Sequence, residues 1–285
     1  MQRKTLATLG VLLAAAAIAG CSRSEGQEKK TPAPAKVNTA GTARSKSTKN
    51  PGSSATAEAM RRAAADKKHL FVFFFSKDDE PTRLARRTVE QAVRGMRRSA
   101  EWLAVDIASA SEAEIVNKYN VRSAAMPIVL AFAPNGAVTG GFRTADINEE
   151  KLKGAIASPA MQECMKALQE SKLVFICCQG KKTQFNKEAM QGVEAIKADT
   201  RYAAYTAIVK IDPADKAEHG FLSKLKVDPN AKEAATAILV PPNMVIGVTN
   251  GQTTKESILK ILASASSGGC GPKGCGPTGC GPVKK

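Results

Sequence analysis

Apolar residues come in short blocks along this chain, separated by polar joints rich in Gly, Pro and charge. The densest block, "HLFVFFFS" from His69 to Ser76, has the length and composition of a strand covered on both faces. Ala57 to Lys67 ahead of it is alanine-rich and helical. A helix bearing Arg83, Arg86, Arg87, Arg94, Arg97 and Arg98 follows, then the strand "EWLAVDI" and a short helix capped by Ser111. "MPIVLAFAPNGAVTGGF" reads as two strands joined by a Pro-Asn-Gly turn, and a last helix follows Asp146. The order is βαβαββα behind a leading helix.

The same order recurs. "KLVFICC" reads as a strand, Asn186 to Asp199 as a helix, "YTAIVKI" as a strand and Pro213 to Lys226 as a helix. "ATAILVPPNMVIGV" supplies two more strands, and Thr253 to Ala263 closes the unit with a helix. Two copies of one α/β fold are therefore predicted, occupying 57–158 and 159–265.

Outside these blocks the chain changes character. Arg3 and Lys4 precede an uncharged run from Thr5 to Gly20, shorter than a membrane span and typical of a signal-peptide core. The run ends "AIAGC", which resembles the bacterial lipobox; the resemblance implies lipidation of Cys21 and residues 1–21 as the leader. Ile18 stands where the lipobox usually has Leu, and Ala17 with Ala19 also satisfies the small-x-small rule of ordinary signal peptidase. Ser22, rather than Asp, implies outer-membrane sorting in a Gram-negative cell. Residues 22–56 carry Ser, Thr, Ala, Pro, Gly and Lys, with seven basic and two acidic residues, and read as a disordered basic linker.

The formal charge is +16, reduced by two when Arg3 and Lys4 leave with the leader. For an exported chain such an excess suits acidic lipid headgroups or wall polymers, or serves only as a solvated surface. One tryptophan and no aromatic interleaving of the basic stretches give a nucleic-acid platform no support.

The element order, with a strand opening "MP" inside "KYNVRSAAMPIVLAFAPNG", resembles the thioredoxin fold. That likeness implies two tandem thioredoxin-like domains, each a central mixed sheet flanked by helices. It also implies a cis proline at Pro127, facing a dithiol. The dithiol itself is missing: "SKDDEPTR" puts Asp79 in place of the attacking cysteine and Thr82 in place of the resolving one. A carboxylate there enjoys the helix-terminus stabilisation that a thiolate would, and caps the helix. The alternative is that Asp78, Asp79 and Glu80 form a hard-cation site.

In the second unit the corresponding site falls near "QGKK", and Ala237 aligns with Pro127. Cys177 and Cys178 end the strand just upstream. Strand alternation sends one into the core and the other to solvent or a covering helix. They read as small hydrophobes or as redox thiols. Cys164, beside Met161 and Met165, reads as core unless a second thiol faces it to hold a soft metal. His69 and His219 have no companion at ligand spacing, which argues against Cys-His nucleophilic catalysis.

Residues 266–285 form a tail with three Cys-Gly-Pro units at Cys270, Cys275 and Cys280. Its thiols suit Cu(I) better than zinc, or disulfide cross-links, or nothing specific. Two functions follow. The first is an envelope lipoprotein whose non-catalytic domains bind or scaffold an unknown protein partner at a membrane surface. The second is a thiol-disulfide oxidoreductase or Cu/Zn-handling protein using the tail cysteines.

Overall fold

A computed structural model of the protein describes residues 54–266. Its first half contains α1 (Ala55–Ala65), β1 (His69–Phe75), α2 (Glu80–Gly95), β2 (Ala100–Asp106), α3 (Ala113–Lys118), β3 (Ile128–Phe132), β4 (Val138–Arg143) and α4 (Glu149–Gly154). The second contains α5 (Pro159–Gln169), β5 (Leu173–Cys178), α6 (Asn186–Lys197), β6 (Thr206–Ile211), α7 (His219–Lys224), β7 (Ala235–Val240), β8 (Met244–Asn250) and α8 (Lys255–Ser266). Each half has one four-stranded sheet, ordered β2-β1-β3-β4 and β6-β5-β7-β8. The central strand runs parallel to one neighbour and antiparallel to the other in both. The fold class is α/β: two tandem thioredoxin-like domains.

The apolar run of β1 explains its central place. Leu70, Val72 and Phe74 face α1 and α3, while Phe71 and Phe73 face α2 and α4. Period-2 alternation thus feeds two cores from one strand, and each such burial is worth roughly 1.5–3 kcal/mol. In β5, Val174, Ile176 and Cys178 join the core beneath α5 and α7, and Phe175 and Cys177 the one beneath α6 and α8.

The two halves repeat in detail. Lys67 and Ser171, both left-handed (φ 54° and 59°), end the leading helices. Lys68 and Lys172 then donate back to the Ala63 and Ala167 carbonyls, closing a Schellman-type cap. Asn120 and Lys226 are left-handed at matching turns, and both hairpins carry a register shift, between Ala131 and Phe132 and between Ile238 and Leu239.

The start of each leading helix is closed by a distant glutamate. Buried Glu112 accepts from the Ser54 hydroxyl (2.6 Å), the Ala55 N–H (2.7 Å) and the Thr56 N–H (3.4 Å). Buried Glu218 accepts from the Ser158 hydroxyl and the Ala160 N–H (2.9 Å). The orphan donors of a first helical turn are thereby satisfied by a side chain from the far end of the parallel βαβ crossover.

Several expectations shift. The first helix starts at Ala55 under a Ser54 cap, so folded structure begins before residue 57. Ser111 does not cap α3; its hydroxyl meets Ser109, inside a 3-10 turn at Ala110–Glu112. The expected helix from Pro213 shortens to a 3-10 turn at Lys216–Glu218 and then α7, because Asp212 and Asp215 accept from Ala214 and Ala217 in local turns. Phe74 pairs with Ile128 and Cys178 with Ala235, so Ala234, not Ala237, stands where Pro127 does.

Contacts also join the halves. The Gln169 side chain on α5 accepts from Val138 N–H (3.0 Å) and donates to Val138 C=O (2.7 Å), satisfying the edge of β4 like a short extra strand. Within the first domain, buried His69 accepts at Nε2 from Ala157 N–H (3.0 Å), tying down the stretch that leads into α5.

Candidate functional site

The loop after β1 is built around a cap. Asp79 adopts an extended conformation, and its Oδ1 accepts from Thr82 N–H (3.1 Å), with Pro81 fitted into the first turn of α2. The hydrogen bonds from Thr82 hold the Asp79 carboxyl below its ordinary range, so it is anionic at neutral pH. Thr82 is itself buried. The pair is an acceptor and the helix start it closes, with no sulfur at either position.

Asp78 and Glu80 point elsewhere. Arg86 meets Asp78 Oδ1 at 3.1 Å, while Arg83 and Arg87 each meet Glu80 at 3.1 Å. Arg83 also donates to the Asp78 carbonyl (2.6 Å). Arg86 lies over the Phe75 ring, 4.6 Å from its centroid. Three guanidinium groups therefore occupy the charge that a cation would need. Among the described residues no three His, Cys, Asp or Glu side chains are grouped to hold a metal. The arginine face of α2 is accordingly in part a local ion-pair network, extended by Arg94 with Glu90 (3.0 Å).

The second loop uses different atoms for the same closure. Phe74 corresponds to Cys178 and Ala85 of α2 to Ala189 of α6, with equal spacing between them, so Thr183 stands at Asp79 and Asn186 at Thr82. The Thr183 hydroxyl accepts from Gly180 N–H (2.8 Å) and meets Asn186 Oδ1 at 2.7 Å, while Asn186 Nδ2 donates to Gly180 C=O (2.8 Å). The expected site at "QGKK" therefore lies just ahead of the corresponding pair. The equal strand-to-helix spacing was the signal that locates it. The Met126–Pro127 bond is cis.

The described cysteines take no part in either loop. Cys164, Cys177 and Cys178 are free and buried, and burial pushes each thiol up to about 12. The thiolate is the nucleophile, so a thiol held protonated in a core is inert to exchange. Both Cys177 and Cys178 are covered, on opposite faces of the sheet; neither reaches solvent. Cys164 shares its core with Cys178 and Met161. Cys21, Cys270, Cys275 and Cys280 lie outside the described residues, as do the leader and the tail. No described helix is long and apolar enough to cross a membrane.

Fold and loops together define a class: tandem thioredoxin-like domains with polar pairs at both positions where the resemblance puts a dithiol. No family model matches the chain, and no curated protein does. Among solved structures it is similar to the thioredoxin of Fasciola hepatica (24% identity, 35% of this chain and 90% of that one, TM-score 0.29). The Drosophila melanogaster germline-specific thioredoxin Deadhead is comparable (23%, 35% and 90%, TM-score 0.29). Thioredoxin O2 of Arabidopsis thaliana in its oxidized state gives 18%, 36% and 85%, with TM-score 0.29.

Proposed function

We propose that this chain is a non-catalytic binding or scaffold module of the cell envelope, held at a membrane surface by a lipid on Cys21 and spaced from it by the basic segment 22–56. The observation that carries the non-catalytic part is the pair of closed loops. Asp79 with Thr82, and Thr183 with Asn186, satisfy each other or the adjoining helix and contain no sulfur. The thiols of the folded part are buried and protonated, which removes them as substitutes. The AIAGC segment and the positive charge support the surface location.

The alternative is thiol-disulfide exchange or Cu(I)/Zn handling through the three Cys-Gly-Pro units at Cys270, Cys275 and Cys280. Fractionation and thiol counting separate the readings. The mature chain should stay with membranes and leave them when Cys21→Ala is introduced, and three thiols should be protected from an aqueous thiol reagent until the protein is unfolded. Unmodified Gly20 or Ser22 at the mature N-terminus would sink the lipid anchor. Stoichiometric copper or zinc on the purified chain, lost with Cys270, Cys275 and Cys280, would favour the alternative.

A further inference from the structure

We infer that the loop end of the second domain holds a site for a phosphate group, carried by a small molecule or by a lipid headgroup. A cavity of about 460 Å³ opens there, beyond the ends of the parallel strands β5 and β6. Lys181, Lys182, Lys216, His219, Thr183 and Asp212 are among its lining residues. The three lysines have no carboxylate partner among the described residues, and the backbone N–H groups of Lys181 and Lys182 have no acceptor there. The one carboxylate, Asp212, is engaged by Ala214 N–H (2.9 Å) and lies against Gly180, where a Cβ would come within 2.5 Å of it. Positive charge thus exceeds negative charge in a concave, partly enclosed space, where the field is focused. Several ammonium groups with free amides suit a multi-oxygen dianion.

The first domain shows that the fold does not require this arrangement. Its loop carries Asp78 and Glu80, both neutralised by α2 arginines, where the second has Lys182 and Gln184. At the positions of Arg83, Arg86 and Arg87 the second domain has Lys187, Met190 and Gln191. Arg122 donates across the first domain's loop end to the Ile107 carbonyl (2.9 Å); its counterpart Asp228 turns back to Asn230 N–H (2.8 Å). The sign of the loop is reversed, its pairing partners are gone, and the Thr183–Asn186 closure leaves the lysines unused.

The site names a ligand class for the non-catalytic reading of this domain, and it is tested apart from the lipid anchor by using the full chain carrying Cys21→Ala. Calorimetric titration with inorganic phosphate at low ionic strength is one arm. Sedimentation with phosphatidylcholine vesicles, with and without phosphatidic acid, is the other. The expected result is saturable binding in at least one arm, weakened at least tenfold by the pair Lys181→Ala and Lys182→Ala. The charge-matched pair Lys197→Ala and Lys260→Ala should weaken it less than twofold. Lysine-dependent binding to phosphatidic-acid vesicles alone assigns a headgroup; the same dependence with free phosphate assigns a small ligand. No saturable binding in either arm, or equal weakening by both pairs, overturns the site. An insulin-reduction assay on the same samples keeps its failure distinct from failure of the non-catalytic reading.

Discussion

The two domains keep the same scaffold and differ in the loop that follows the central strand. Glu112 and Glu218 cap the leading helices in the same way, and left-handed turns and register shifts fall at the same points. Lys77 and Lys181 correspond, but the rest of the polar side chains in the loops after the central strands differ: an Asp79 cap flanked by Asp78 and Glu80, which pair with arginines, in one, and a Thr-Asn closure beside a lysine-lined cavity in the other. The fold's demands are thus met by buried caps and sheet registry. The loops can therefore differ in charge and in hydrogen bonding with the scaffold intact.

The largest expected difference between the domains is at Gly192. A Cβ there would sit 1.8 Å from the Thr253 carbonyl oxygen, which is backbone and has little freedom to retreat. Gly192→Ala should cost about 3 kcal/mol, the upper end of what core overpacking typically costs. Thr88→Ala, at the matching half-buried position of α2, where the hydroxyl only bonds back to the Leu84 carbonyl, should change stability by less than about 0.5 kcal/mol. Denaturant unfolding measures both, and equal costs would break the proposed helix contact.

Next come the capping glutamates. Glu112→Ala and Glu218→Ala each strand buried donors at a helix start, with an expected loss of about 2–3 kcal/mol apiece. Similar losses would sharpen the equivalence of the two devices; a neutral result at either would remove it.

A smaller effect follows from pH. Burial lowers the His69 pKa, so the unfolded chain takes up a proton first as pH drops below the ordinary value of about 6.5. Protonation at Nε2 also displaces the bond from Ala157 N–H. Stability should therefore fall on acidification below that value, and His69→Ala should flatten that slope. On the alkaline side the three buried thiols are raised to about 12, so the unfolded chain loses its protons first. Stability present below about pH 9 should decline toward pH 12, and less so when Cys164, Cys177 and Cys178 are replaced by Ala.

Much of this was legible in the sequence. The apolar run at His69 and the repeated strand-helix order follow from local pattern, and the Asp79 cap ahead of α2 follows from its place before Pro81. The capping glutamates were not, because Glu112 and Glu218 look like surface residues until the chain crosses over and buries them beside Ser54 and Ser158. Thr183 and Asn186 were missed because neither resembles a cysteine or an acid; only equal spacing marks them. The pairing of Arg83, Arg86 and Arg87 with Asp78 and Glu80 is likewise a matter of how the loop and α2 meet in space, which a count of charges does not show.

The central claim, that neither domain is a redox site, is tested most directly by insulin disulfide reduction with the mature chain and a thiol reductant. The expected rate equals that of reductant alone, and it stays there when Cys177 and Cys178 are replaced by Ala. Turnover above that background which disappears on replacing Cys177 and Cys178 would contradict the account, whereas turnover lost only on replacing Cys270, Cys275 and Cys280 would leave the domains inert and assign the chemistry to the tail.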